Sequence, residues 1–449
     1  IAVYDGKQID IVKAKGRLQA LRDLTDEGKN IIGTQGIGHT RWATHGEPSV
    51  PNSHPHFNKE KSIAVINNCI IENYQPLRDK LINKGYEFVS QTDTEVVAQL
   101  LDYYYTGNPA EAIAKVMHRV VGSYAFGIMF VDHPGVIYAV RKDSPLIVGV
   151  SEAGNFIASD VPAILKYTRD VYFIENREIV EITDAKASFF NEDLEEIIKE
   201  PQTIEWNIEA AEKGGYEHFM LKEIYEQPKA VEDTISPRIK GDDIVIEELN
   251  MTDEEIKNIK RICIIGCGSA YHVGVVGKYV IEKVTRIPVE VDLASEFRYR
   301  DPIMEEGTMT IIISQSGETA DSLAALRKAQ ELGSKVLGIV NVVGSSIARE
   351  ADNVMYTWAG PEISVATTKA YSTQLSALYL LTMLFAKTRE TISNEEYMEM
   401  LTEIKSLPEK IQTILGDKER IQWFASKYAN AQDIFFLGRG VDFASSLEG

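Results

Sequence analysis

Beyond about residue 240 the chain follows a strict alternation of a short apolar run, a glycine or polar turn, and a helical stretch. Arg261-Ile-Cys-Ile-Ile265, Thr308-Met-Thr-Ile-Ile-Ile313 and Lys335-Val-Leu-Gly-Ile-Val340 are the clearest of these runs. Near-continuous apolar character over so few residues is the pattern of strands buried on both faces. Strands of this kind, each followed by a helix, predict a doubly wound parallel sheet. Ligands of such sheets bind beyond the carboxyl ends of the strands, so function is expected in the turns.

The turn after the second run is Ser314-Gln-Ser-Gly-Glu-Thr319, and a helix is predicted over 320–332. Its three hydroxyls, a glycine that permits close backbone approach and the free N–H groups of a helix start can together hold a phosphate dianion without a lysine. An ordinary helix cap would need only one Ser or Thr. Gly266-Cys-Gly-Ser-Ala270 follows the first run. It is not a dinucleotide fingerprint, because that pattern requires glycine where Tyr271 stands. It reads equally as a tight turn or a ligand contact. Val365-Ala-Thr-Thr-Lys369 precedes a long helix, either as a second wall of the same pocket or as a helix cap at Thr367 or Thr368. No Gly-x-x-x-x-Gly-Lys-Ser/Thr loop occurs for nucleotide hydrolysis.

The first 200 residues have a different grammar. Strands are predicted at 62–66, 124–131 and 136–140, with a turn at Asp132-His-Pro-Gly135, and helices over 93–105 and 109–121. Blocks of strands and helices suggest stacked antiparallel sheets with helices outside. Residues 201–240 have weak periodicity and carry Gly214-Gly215, Pro228 and Pro237, and read as a linker. The expected domains are 1–200, then 241–400 after the linker, then a connecting helix and a further start over 401–449, with helical patterns over 374–387 and 395–415. In the last of these, Gln432-Asp-Ile-Phe-Phe-Leu-Gly-Arg-Gly440 repeats the strand-Gly-x-Gly device of Ile262 to Gly268, which suggests an internal duplication.

Composition narrows the partners. With 47 Lys and Arg against 67 Asp and Glu, the net charge of −20 argues against nucleic acid or an anionic membrane. Three cysteines, Cys69, Cys263 and Cys267, do not make a disulfide framework, and a reducing cytoplasm is expected. The longest apolar run, Leu375 to Ala386, is shorter than the roughly 20 residues that span a bilayer and reads as a buried helix. The chain opens on a strand-like Ile1-Ala-Val-Tyr4 and closes at Gly449 just after a new turn, so a fragment is expected.

In the first domain, His39-Thr-Arg-Trp-Ala-Thr-His-Gly46 gathers a guanidinium, an indole, two imidazoles and two hydroxyls in one loop. Arg41 offers the planar fork that matches a carboxylate. Asn68, after a strand, can orient an oxyanion, and Asp93 can take a substrate ammonium or cap a helix. His54 and His56, with His45 near, lack the spacing or cysteine partners of a metal site, so no metal is expected.

Thr40 to Pro48, Ile70-Ile-Glu-Asn-Tyr74, Gln91-Thr-Asp-Thr-Glu95, Lys222-Glu-Ile-Tyr-Glu-Gln-Pro228, Ala294-Ser-Glu-Phe-Arg-Tyr-Arg300, Ser314 to Thr319 and Val365 to Lys369, in this order, resemble the isomerising glutamine–fructose-6-phosphate aminotransferases. The resemblance implies an α+β N-terminal-nucleophile glutaminase domain followed by α/β sugar isomerase (SIS) domains. It implies glutamine hydrolysis in the first domain and internal passage of ammonia to fructose 6-phosphate, giving glucosamine 6-phosphate and glutamate with no metal or organic cofactor. Arg41, Trp42, Thr44, His45 and Asp93 fall on its glutamine-binding positions, Arg41 at the α-carboxylate, Asp93 at the α-amino group and Trp42 at the gate of the ammonia channel. Ser269, Ser314, Gln315, Ser316, Thr319, Val365 and Thr367 fall on its sugar-phosphate contacts.

The resemblance also implies a homodimer for the complete protein. Its nucleophilic N-terminal cysteine would precede Ile1, and its proton-transferring glutamate, ring-opening histidine and Schiff-base lysine would follow Gly449. These 449 residues alone are therefore expected to be inactive. Two departures stand out. The family's His-Asn-Gly reads Asn67-Asn68-Cys69, so Cys69 puts a side chain where the family glycine lends its backbone N–H to the oxyanion hole, and Ala270 replaces a hydroxyl residue beside Ser269. A non-catalytic SIS-type sugar-phosphate sensor or regulatory paralogue is the alternative reading.

Overall fold

A computed structural model of the chain describes residues 1–41, 46–204 and 213–449. It divides into two compact units, Ile1–Glu205 and Trp206–Gly449.

The first unit is built on a seven-stranded sheet in the order Glu196–Ile197, Ala187–Phe190, Ile179–Ile182, Ile137–Lys142, Tyr124–Phe130, Ile63–Asn68, His56–Phe57, with antiparallel pairing throughout. Its inner strand Tyr124–Phe130 is buried on both faces. Tyr124, Phe126, Ile128 and Phe130 pack with the helices Thr94–Tyr104 and Pro109–Met117. Ala125 and Met129 face the other way, toward a four-stranded sheet that includes Ile147–Ser151 and a three-stranded sheet that includes Ala2–Tyr4. The alternation follows from the two-residue period of a strand. Stacked antiparallel sheets with helices on the outer face are therefore present, and the expected strands and helices occur with shifted ends.

The second unit holds a five-stranded, wholly parallel sheet in the order Val289–Leu293, Arg261–Gly266, Thr308–Ser314, Lys335–Val340, Asn353–Tyr356. Ile262, Ile264, Ile311, Ile313 and Ile339 pack on the side of the helix Lys369–Thr388, which buries the apolar run 375–386. Ile265, Ile312, Val336 and Val340 pack on the opposite side, with Leu323 and Leu326 of the helix Ala320–Glu331. This is the doubly wound arrangement. No helix among the described residues is long and apolar enough to cross a membrane.

Three segments differ from expectation. Within 201–240 the residues Phe219–Ile235 form a helix that contains Pro228. Proline leaves the carbonyl four residues earlier without its N–H partner. Here the Gln227 side-chain amide donates to that carbonyl, Ile224 O, at 3.1 Å. The helical stretch expected over 395–415 is two helices, Asn394–Lys405 and Leu407–Gly416, with Pro408 in the first turn of the second.

The strand expected at 432–437 does not form, and Phe435 and Leu437 are 82% and 88% exposed. A strand needs ladder partners, and none is offered here among the described residues. The glycine turn after it does form. Gly440 (φ 60°, ψ −126°) opens a helix with the same backbone shape as Gly268 (φ 55°, ψ −131°).

Candidate functional site

The parallel register places the ends of two neighbouring strands side by side, with Ile265 opposite Ile312. The turns Cys267–Ser269 and Ser314–Thr319 therefore leave the same edge of the sheet. Ser322, in the first turn after the second loop, donates its hydroxyl to Cys267 Sγ at 3.9 Å and ties the two together.

Within the cradle the Gly317 amide donates to Ser314 Oγ at 3.0 Å, the Glu318 amide to Ser316 Oγ at 3.2 Å, and Ser314 and Thr319 share a hydroxyl contact of 3.1 Å. Thr319 precedes the helix Ala320–Glu331 without capping it through its side chain. A bare helix start and hydroxyls that still hold a proton to donate suit an incoming anion. Glu318 turns away and accepts from the Ser346 amide at 2.7 Å and hydroxyl at 2.8 Å, which anchors the loop.

Asn341 was not singled out from the sequence, yet it joins the cradle to the next loop. Its amide donates to Gln315 O at 3.1 Å, its Oδ1 accepts from the Ala359 amide at 2.8 Å and Thr357 Oγ1 at 3.0 Å, and its Nδ2 donates to Gly360 O at 2.7 Å. That loop carries Val365, 94% exposed. The Thr367 hydroxyl donates to Glu362 Oε2 at 2.7 Å, so in this arrangement it can accept from a sugar hydroxyl but not donate to phosphate. Ser269 likewise gives its proton to Glu448 Oε1 at 2.5 Å, and the other oxygen of Glu448 meets His272 Nδ1 at 2.6 Å. Neither Glu362 nor Glu448 stood out in the sequence, since a lone carboxylate reaching across the fold leaves no local pattern.

In the first unit Arg41 donates to Gly46 O at 3.1 Å and lies within electrostatic reach of Asp93. Asp93 does not cap the helix it precedes. Its carboxylate is buried and accepts from the Ile71 amide at 2.8 Å. Trp42, Thr44 and His45 lie outside the described residues. Asn68 ends the strand Ile63–Asn68 and is half-buried, while Asn67 is buried and spans His54, Thr94, Cys69 and Ala125 through its backbone and side chain.

Cys69 has a φ of 84°, the left-handed region that favours glycine. Its thiol donates to Ser144 Oγ at 3.4 Å, and desolvation pushes its pKa up, with Asp93 and Asp143 adding to the shift. It is thus a protonated thiol at neutral pH rather than a nucleophile. Left-handed strain on a side-chain-bearing residue costs roughly 1–2 kcal/mol, and glycine returns part of the gain through the unfolded chain. Cys69→Gly is therefore expected to stabilise the first unit by about 1 kcal/mol, read as a higher urea midpoint.

His39 stacks on His54 with ring centroids 4.4 Å apart, and His54 meets His56 edge to face at 4.9 Å. His54 Nδ1 accepts from the Asn67 amide, and His56 Nε2 meets Thr92 Oγ1 at 2.9 Å. His54 and His56 each have a ring nitrogen committed to a neighbour, while His39 Nδ1 is buried without a hydrogen-bond partner among the described residues. Among the described residues no group of three His, Cys, Asp or Glu is arranged to hold a metal ion.

Comparison with known proteins agrees with this division. Residues 39–166 match the glutamine amidotransferase domain family, and residues 255–384 match the SIS domain family. The chain is therefore a glutamine amidotransferase domain followed by a sugar isomerase domain. It is 55% identical over its whole length to glutamine–fructose-6-phosphate aminotransferase (isomerizing) of Clostridium acetobutylicum and 56% to that of Caldanaerobacter subterraneus, spanning 74% of each. The C-terminal domain of glucosamine-fructose-6-phosphate aminotransferase from Francisella tularensis is similar over 53% of this chain and 67% of its own, with 38% identity and a TM-score of 0.51. The chain belongs to the isomerising glutamine–fructose-6-phosphate aminotransferase family.

Proposed function

We propose that this protein serves the transfer of the glutamine amide nitrogen to fructose 6-phosphate, yielding glucosamine 6-phosphate and glutamate, the reaction class named for its relatives. The observation that carries the reading is the cradle of three hydroxyls and an uncapped helix start at the carboxyl edge of a parallel sheet, beside the Cys267–Ser269 turn.

In this reading the phosphate sits against Ser314, Gln315, Ser316 and Thr319, while Ser269, Val365 and Thr367 border the sugar. Glutamine belongs to the first unit, with its α-carboxylate on Arg41, its α-ammonium on Asp93 and its amide near Trp42, Thr44, His45 and the oxyanion donor Asn68. The acidic chain tolerates an anionic substrate because the cradle uses dipoles and hydroxyl protons rather than net charge. Identity across the whole length to named synthases favours the enzyme over a regulatory paralogue. We place the reaction in the cytoplasm and the protein in a homodimer, both by family resemblance.

Calorimetric titration of this chain tests the reading. Fructose 6-phosphate and glucosamine 6-phosphate are expected to bind, unphosphorylated fructose is not, and Ser316→Ala should weaken binding by roughly tenfold, as for one charge-assisted hydrogen bond. A chain that takes neither sugar phosphate would refute it.

A further inference from the structure

The helix Phe219–Ile235 places Lys222, Glu223, Glu226 and Gln227 along one face, as spacings of one, four and five residues require. Three charged side chains in this part of the fold are almost wholly enclosed, with Lys222 7%, Glu223 2% and Lys369 2% exposed. Glu226 accepts from Lys369 Nζ at 2.8 Å and pairs with Lys222 at 3.4 Å. Gln227 accepts from the Ser372 hydroxyl. Glu223 behaves differently, because it takes no lysine as hydrogen-bond partner. Its Oε1 accepts the backbone amides of Ile363 at 2.6 Å and Ser364 at 3.1 Å, the two residues just before Val365, while its Oε2 is buried without a partner among the described residues.

Glu362, three residues before Val365, holds the stretch beyond it, accepting from the Thr367 hydroxyl, the Thr368 amide at 2.9 Å and the Ala370 amide at 3.2 Å. The loop is thus suspended between two carboxylates, one from a distant helix and one of its own. Burying charge to hold a loop is unfavourable where apolar packing would do, so the arrangement points to a demand for exact backbone placement. The feature held in place is the exposed Val365 with Thr367 beside it.

We propose that Glu223 is a positioning residue for the sugar-phosphate site, aiming the backbone of Ile363 and Ser364 so that Val365 and Thr367 meet the bound sugar, with the Glu226–Lys369 pair holding the helix beneath. The inference rests on the sugar-phosphate reading above and adds to it a residue that does not itself touch the ligand.

The test compares the unsubstituted chain with Glu223→Gln, Glu223→Ala and a remote core variant, Ile281→Val. Fructose 6-phosphate affinity is read by calorimetry and loop protection by amide hydrogen exchange of peptides covering 361–370. Glu223→Ala should weaken binding tenfold or more and lose protection in the loop. Glu223→Gln, whose amide oxygen can still accept both N–H groups, should stay within threefold of the parent, and Ile281→Val should bind as the parent despite lower stability. Unchanged affinity and protection in Glu223→Ala, or a Glu223→Gln as weak as Glu223→Ala, overturns the proposal alone. Failure of the unsubstituted chain to bind overturns the sugar-phosphate reading and this inference with it.

Discussion

Gly317→Ala is expected to abolish sugar-phosphate binding and to destabilise the second unit by about 3 kcal/mol, the sum of overpacking and left-handed strain. A Cβ built on Gly317 would lie 2.0 Å from Ser345 Oγ and 2.6 Å from Ser345 Cβ, and the residue has a φ of +65°. The collision falls on the cradle itself, since the Gly317 amide donates to Ser314 Oγ and its carbonyl accepts from the Ile347 amide at 3.0 Å. The steric and backbone parts can be separated. Ser345 starts the helix Ser346–Glu350 without a side-chain cap, and its buried hydroxyl has no partner among the described residues. Ser345→Gly therefore opens the space at little cost. In the double variant Gly317→Ala/Ser345→Gly about half the lost stability should return, leaving the cost of φ alone. Chemical denaturation of the four proteins, with calorimetric titration of fructose 6-phosphate, measures both effects. A Gly317→Ala chain that binds as the parent would remove this loop from the site.

The parts of this architecture that were legible in the sequence are those in which many residues report the same fact. Ile311, Ile312 and Ile313 face alternate sides yet are all buried, so the run declares a strand covered on both faces. The cradle was legible because three hydroxyls and a glycine crowd six residues after such a strand. What escaped notice depends on single side chains acting across the fold. Asn341 joins two loops, Glu223 reaches residues 140 and 141 positions away, and Glu448 meets Ser269 at a separation of 179.

No periodicity records contacts of that kind. Pro228 misled for a related reason, because the residue that repairs its missing hydrogen bond, Gln227, looks like any polar neighbour until the helix exists. The strand expected at 432–437 shows the opposite limit. Its residues carry the right local preference, but a strand is a property of a pair, and the turn at Gly440 forms because it needs only its own backbone.

The first unit should lose about 4 kcal/mol of stability between pH 7 and pH 5.5, an upper figure for three imidazoles held fully neutral in the fold. Burial pushes His39 down to about 4 and carries His54 and His56 well below the usual imidazole range, with Arg41 adding to the effect on all three. In the unfolded chain each ring titrates near 6.5. Below that value the unfolded state binds protons that the native state refuses, so stability falls as pH falls, by about 1.4 kcal/mol per pH unit for each fully depressed ring. For His39 the loss continues down to about pH 4, where the folded ring also accepts its proton.

The rings reinforce one another's depression, because a charge on one ring, 4.4 Å or 4.9 Å from the next, opposes charge on its neighbour. Urea unfolding at pH 7, 6.5, 6 and 5.5, with hydrogen exchange over 54–68 to assign the transition to this unit, gives the slope. His56→Gln, which keeps a partner for Thr92, should flatten it by about one-third, and a stability constant across this range would show that the rings take up protons without leaving the fold. Arg41 is the cation shared by this cluster and the proposed glutamine carboxylate site. The glutamine half is accordingly expected to fail in mild acid before the sugar-phosphate half, whose described contacts rest on hydroxyls, amides and carboxylates and involve only one imidazole, His272.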